Sequence, residues 1–310
     1  MPSRTIARAV FTAVVLLAGC AAGHPTAATE SPARQAAVPG STARKVMVIA
    51  EENETYEAIM GNRAAPHLNA IAARYGVGRA AEAGYPVHCP SLPAYLIMTS
   101  GSTHGICDDA PAADHRLDGE SIFSQVASAG RQWRGYAESM PGNCARTDTA
   151  RYLSRHAPAA YYRSQTANCR RWDVPLGSVA AGPLVRDLAA GTLPAYSFVT
   201  PDVCHEMHGG SPCRHHLIAA ADAWMGTLLP MIEASPDFRS GRLVVFITWD
   251  EGSSSSNHIP FLVLSRNARR VASTAPFTLC SLLRTSEDLL TLPALGCAST
   301  SRSLVNEFHL

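Results

Sequence analysis

Apolar positions along this chain come in two spacings. At 243–247 (Leu, Val, Val, Phe, Ile) and 46–50 (Val, Met, Val, Ile, Ala) they are consecutive and rich in β-branched side chains, as in strands covered on both faces. Residues 133–136, 195–200 and 259–264 read as further strands. Between these runs apolar residues recur every three or four positions, which predicts helices. Leu68, Ile71 and Ala72 mark one, and Ile122, Phe123 and Val126, closed by Gly130, mark another. A short helix follows at 184–190. Ile218, Ala221, Trp224, Met225 and Leu228 line the most periodic one, at 216–232. Ser91 before Leu92-Pro93, with Gly101 downstream, predicts a helix with Ser91 at its N-cap. Leu282, Leu283, Leu289, Leu290 and Leu292 close the core from the tail. Strands alternating with helices predict an α/β fold over residues 44–310: one domain, a doubly wound, mostly parallel sheet with helices on both faces. Residues 140–175 carry few long apolar runs and read as a disulfide-braced loop insertion over one rim.

Polar residues gather where the strands stop. Glu51, Glu52 and Asn53 follow the first, Glu138 the second, Asp202, His205, Glu206 and His208 the third, and Asp250 and Glu251 the fourth. Asn257 and His258 precede the fifth. Open α/β sheets bind ligands at the carboxyl ends of their strands, so these groups share one rim. Ser91, at a helix N-terminus, lies at the positive end of the dipole beside unpaired backbone N–H groups, a place suited to phosphate. Oxygen donors from separate strand ends around such a serine describe a metal-assisted phosphoryl-transfer site with Ser91 as nucleophile. Crowded carboxylates stay ionised when a cation sits among them. The oxygen-rich set favours one divalent ion such as Ca, Mg or Mn, with Zn possible.

Composition narrows the partners. At 310 residues and 46% hydrophobic the chain has ample core, and a net charge of +1 with pI near 7.7 indicates no nucleic-acid groove. Residues 1–20 carry Arg4 and Arg8, an apolar run at 9–17 too short to span a bilayer, and Leu17-Ala18-Gly19-Cys20, which resembles a lipobox. They predict a lipoprotein signal peptide with Cys20 as the lipid attachment site, and hence a chain exported and lipid-anchored at the outer face of the cell membrane. The alternative is a secretory signal cut near Ala22 and a secreted chain. Residues 21–43, rich in Ala, Pro, Ser, Thr and Gly, read as a disordered tether. Eight cysteines then remain, an even number that suggests disulfides; they fall in four successive local pairs, and no C-x-x-C spacing supports thiolate zinc.

Five segments together resemble a known family: Glu52-Asn53-Glu54-Thr55-Tyr56, Pro90-Ser91-Leu92-Pro93-Ala94-Tyr95-Leu96 with Ser100-Gly101, Tyr136-Ala137-Glu138-Ser139-Met140-Pro141, Glu206-Met207-His208, and Thr248-Trp249-Asp250-Glu251-Gly252 with Asn257-His258. They are similar to the phosphoesterases that include bacterial phospholipase C enzymes and acid phosphatases, within the alkaline phosphatase superfamily. The resemblance implies an alkaline-phosphatase-like core and a metal-dependent phosphoric ester hydrolase working through a phosphoserine. It implies Glu52, Asn53, Ser91, Asp250 and Glu251 as metal ligands, Ser91 as nucleophile, and His208 or His258 as proton donor. Glu206 and His156 become substrate-binding candidates, and Glu51 supports the ligands from behind. The substrate would be a phosphate ester small molecule or a phospholipid headgroup. Two positions depart from the family: Ala94 stands where Asn is usual, and Glu206 where Asp is usual. They leave open a non-catalytic surface lipoprotein that binds a ligand through a degenerate fold. Asp202 with His205 is a competing metal pair of the kind zinc enzymes of the superfamily carry. A sulfatase is disfavoured, because no C-x-P-x-R motif surrounds Cys89-Pro90-Ser91.

Overall fold

The computed structural model describes residues 44–86, 88–253 and 257–310. The signal peptide, the tether and Cys20 lie outside the described residues. The strands are β1 (Lys45–Glu51), β2 (Gly76–Gly78), β3 (Ala81–Glu82), β4 (Trp133–Ala137), β5 (Asp173–Pro175), β6 (Tyr196–Thr200), β7 (Leu243–Trp249), β8 (Phe261–Leu264), β9 (Ala272–Ser273) and β10 (Phe277–Thr278). Eight of them form one sheet in the order β5-β4-β6-β1-β7-β8-β2-β9, and β10 pairs β3 in a small second sheet. Within the large sheet only β8 runs against the rest, pairing antiparallel with both β7 and β2. Strand β8 follows β7 directly in the chain and returns along it instead of crossing over.

The α-helices among the described residues are α1 (Tyr56–Ile59), α2 (Pro66–Arg74), α3 (Leu92–Ser100), α4 (Ile122–Ser128), α5 (Thr166–Trp172), α6 (Pro183–Ala190), α7 (Leu217–Ala234), α8 (Pro236–Arg239) and α9 (Leu279–Leu290). Helices α2, α6, α7 and α8 pack on one another, while α3, α4 and α9 form a second group. Both faces of the sheet centre are therefore covered, and every residue of β7 is buried. Each such aliphatic or aromatic side chain contributes about 1.5–3 kcal/mol on burial. Helix α3 is buried along its whole length, and Gly101 ends it in the left-handed region at φ 69°. A Cβ there would lie 2.5 Å from the Leu295 carbonyl, so glycine is required both for the turn and for the close approach of the tail.

Disulfides join Cys89–Cys107, Cys144–Cys169, Cys204–Cys213 and Cys280–Cys297, the successive pairing expected. The 140–175 segment is less irregular than its composition predicts. It holds three 3-10 turns, α5 and the edge strand β5, and Tyr152, Tyr161 and Tyr162 are buried under it. Short elements of this kind escape periodicity because they complete less than two turns or three strand residues.

Candidate active site

All the polar strand ends meet at the carboxyl edge of the parallel strands. Helix α3 points its N-terminus there, and its first residue is Leu92. Ser91 was expected to cap this helix with its side chain, but it does not. Asp109 does so in its place, its Oδ1 accepting from Leu92 N at 2.9 Å. The Ser91 hydroxyl is thereby freed, and it donates to Glu52 Oε2 at 3.0 Å. The same arrangement uses up the amides expected to hold phosphate. Leu92 N–H is taken by Asp109, Pro93 has none, and Ala94 N–H is bonded to the Ser91 carbonyl at 2.9 Å. The helix dipole still favours an anion here, but its oxygens must find donors elsewhere.

Glu52, fully buried just past β1, is the hub of the cluster. Its Oε1 lies 2.7 Å from His156 Nε2, and its Oε2 lies 3.4 Å from His208 Nδ1. His156 continues the chain through Nδ1, 3.1 Å from Glu206 Oε2, and stacks on Tyr95 with ring centroids 5.0 Å apart. Backbone geometry locks the carriers together. Glu52 N donates to the Glu206 carbonyl at 2.8 Å, and Met207 takes φ 83° between Glu206 and His208, a conformation that costs on the order of 1–3 kcal/mol. Burial would raise the Glu52 carboxyl, but the charge and hydrogen bond of His156, with the hydrogen bond of His208 and the charge of Arg155, together hold it well below the usual range. Desolvation would neutralise His156, yet Glu52 and Glu206 lift it to about 9. The hydrogen bond to Glu52 raises His208, whose side chain is 50% exposed and so reaches solvent.

Asn53, Asp250 and Glu251 form the other half of the site. Asn53 sits at φ 40°, a region asparagine enters at low cost, and its N donates to Asp250 Oδ1 at 3.2 Å while its Nδ2 donates to Glu251 Oε1 at 3.0 Å. Tyr85 OH donates to Glu251 Oε2 at 2.8 Å. Burial, then the charges of Glu52 and Glu251, push Asp250 well above the usual carboxylate range, and burial raises Glu251. Asp250 Oδ2 and Asn53 Oδ1 are buried and accept no hydrogen bond. An acceptor buried without a donor costs about 1–3 kcal/mol. Two such hard oxygens, beside carboxylates that repel one another, fit a divalent cation.

The structure brings Glu52, Asn53, Ser91, His156, Glu206, His208, Asp250 and Glu251 to one place, and it does not bring His258. That imidazole stacks on Tyr56 at 4.8 Å, and its nitrogens meet Glu57 Oε1 at 2.8 Å and the Arg79 carbonyl at 3.0 Å. Both ring nitrogens are thus spent on fastening α1 to the loop before β3, which leaves none for a leaving group. His156, a substrate-binding candidate from the sequence, is buried between two carboxylates. The competing pair Asp202–His205 lies in a separate cluster. His205 Nδ1 is 2.8 Å from Glu138 Oε2 and 3.4 Å from Asp202 Oδ1. Asp202 Oδ2 accepts from Ser139 Oγ at 2.5 Å and lies 2.6 Å from Arg151. Tyr85 and Asp109 carried no signal in the sequence beyond lying on either side of Ser91.

A profile of the phosphoesterase family matches residues 62–268. The chain belongs to the phosphoesterase family. Over 303 residues it is 29% identical to the phosphatidylinositol-3-phosphatase of Mycobacterium tuberculosis, covering 97% of this chain and 94% of that relative. Among solved structures it superposes on a protein in the alkaline phosphatase superfamily from Vibrio parahaemolyticus with TM-score 0.57 at 10% identity, over 86% of this chain and 70% of that one. The phosphonate monoester hydrolase of Agrobacterium radiobacter gives TM-score 0.54 at 12% identity, over 86% and 77%. At such identities the likeness concerns the fold, which is that of the superfamily. This phosphoesterase is a hydrolase of phosphoric ester bonds, and its four disulfides are those of an exported protein.

Proposed function

We propose that this phosphoesterase is a metal-dependent phosphomonoesterase that acts through a phosphoserine on Ser91. The observation that carries the reading is the Ser91 hydroxyl, relieved of helix capping by Asp109 and pointed at Glu52 beside the uncompensated oxygens of Asn53 and Asp250. Glu52, Asn53, Ser91, Asp250 and Glu251 would hold one divalent ion. Such an ion, when bound, neutralises phosphate charge and favours the serine alkoxide. Ser91 Oγ gives up its proton to solvent and attacks phosphorus, and the bond to the leaving alcohol breaks with its electron pair on the alcohol oxygen. His208, held by Glu52 and open to solvent, supplies the proton that oxygen takes up. Water then attacks the phosphoserine, His208 recovers a proton from it, and the Oγ–P bond breaks, releasing inorganic phosphate and Ser91, which takes its proton back from solvent. His156, bridging Glu52 and Glu206, fixes both carboxylates in place.

The relative's activity supports a monoester on a lipid headgroup, such as a phosphorylated inositol, as substrate. Cys20 would hold the enzyme at the outer face of the membrane. Turnover of a panel of phosphate mono- and diesters, with metal content measured on the same samples, tests the proposal. Ser91→Ala should keep its metal and lose turnover of every monoester. Full activity in that variant overturns the phosphoserine, and preference for diesters overturns the monoesterase assignment.

A further inference from the structure

The amino edge of the sheet, opposite the catalytic rim, carries a concavity of ≈ 470 Å³ bordered by Arg74, Tyr75, Glu233, Phe238, Arg239, Arg266 and Arg269. Topology places it there: Tyr75 precedes β2, Phe238 and Arg239 lie in α8 before β7, and Arg266 and Arg269 follow the reversed strand β8. Strands of seven residues separate it from the catalytic rim by roughly 20 Å. Its floor is apolar and buried, Tyr75 and Phe238 meeting edge to face with centroids 5.8 Å apart. Its rim is four exposed arginines facing one carboxylate. That carboxylate, Glu233, is already taken by Arg74 and by Tyr75 OH at 2.6 Å. The neighbouring acid Asp237 is spent on Lys45 at 2.8 Å and Arg242 at 2.7 Å. Among the described residues Arg239, Arg266 and Arg269 pair with no carboxylate. Arg266 donates to the Arg239 carbonyl, and Arg269 and Arg74 each lie over the Tyr75 ring at 5.8 Å. Charge is concentrated here well beyond the +1 of the whole chain.

We infer that this pocket is a second, non-catalytic phosphate-docking site. Guanidinium forks match phosphate oxygens in pairs, and the Tyr75 ring holds two of them, Arg74 and Arg269, beside the pocket. The phosphate can come from an anionic headgroup in a bilayer or from a soluble anion. The first described residue, Arg44, and the start of β1 lie at this same edge, with Lys45 N bonded to the Arg242 carbonyl at 3.0 Å. The inference does not depend on the catalytic reading.

Two binding experiments test it, each with Arg239→Glu/Arg266→Glu/Arg269→Glu and with the corresponding glutamine variant. In the first, protein carrying Cys20→Ser, so that no acyl chain contributes, is sedimented with vesicles of phosphatidylcholine alone or with phosphatidylserine added. In the second, inorganic pyrophosphate is titrated calorimetrically into Ser91→Ala protein. Binding that requires phosphatidylserine and falls about fivefold per arginine neutralised assigns the site to a bilayer headgroup. One pyrophosphate equivalent lost in the triple variants, without vesicle binding, assigns it to a soluble anion. Either outcome, with p-nitrophenyl phosphate turnover retained in the triple variants, supports the site. Vesicle binding and pyrophosphate stoichiometry both unaffected by the triple substitution overturn it.

Discussion

Two clusters of acids and histidines stand side by side on the carboxyl edge, and they differ in how their oxygens are satisfied. In the Glu138–Asp202–His205 cluster, Asp202 alone accepts from Ser139 Oγ, from Cys204 N at 3.0 Å and from the Arg151 guanidinium, and Glu138 Oε2 accepts from Asp202 N at 3.1 Å. In the Glu52–Asn53–Asp250–Glu251 cluster, Asp250 Oδ2 and Asn53 Oδ1 have no donor and Asp250 is pushed well above its ordinary range by burial. Both gather buried carboxylates at strand ends. A network closed on itself contributes to stability and fixes the 202–208 loop, whereas one left open stores binding capacity for a cation and a substrate.

Substitutions can break this contrast. Ser91→Ala should have the largest effect, lowering phosphomonoester turnover by at least about 1,000-fold with an unchanged melting temperature, since it removes the nucleophile and a single hydrogen bond. A loss below about tenfold would falsify the assignment of Ser91. His208→Asn should lower kcat by about 100-fold, and by less on substrates with acidic leaving groups that depart without a proton. Asp250→Asn should weaken metal binding by about 10–100-fold, read by metal analysis after dialysis, with activity falling in parallel. If Asp250→Asn keeps its metal while Asp202→Asn loses it, the roles of the two clusters are reversed.

The closed cluster should answer in stability. Glu138→Gln is expected to cost about 1–3 kcal/mol in denaturant unfolding while leaving metal content unchanged. That cost should depend on pH. The hydrogen bond to Glu138 raises His205 above its ordinary 6.5 in the folded chain. The pairing is therefore fully stabilising below that value and is lost as pH rises through the higher folded value. The gap in melting temperature between wild type and Glu138→Gln should accordingly narrow toward alkaline pH; a gap that widens means the pair is not held by a protonated imidazole. His258→Ala should have the smallest effect, less than about twofold on kcat, because its nitrogens serve α1 and the loop before β3.

Much of this was readable from the chain. The five stretches that read as strands are five of the eight strands of the large sheet, and the acids after four of them mark the rim. Local cysteine pairing was also legible, because each disulfide closes a loop of 9 to 25 residues. The short strands β2, β5 and β9 were not, since two or three residues carry no period and form only against neighbours already in place. Nor was the fate of the histidines. His156 lies 104 positions from Glu52, and nothing local distinguishes it from His258, whose ring turns outward to Glu57.

The sequence by itself determined the α/β class, the edge where chemistry gathers and the residue types present there, because hydrophobic period and strand-end polarity are local properties. Only the tertiary structure decided which of those residues are free to act. Asp109 had to reach the helix N-terminus before Ser91 could turn to Glu52, and Arg151 and Ser139 had to close one acidic cluster while the other stayed open. Satisfaction of a buried polar atom depends on partners brought from anywhere in the chain, and no stretch of sequence contains that information alone.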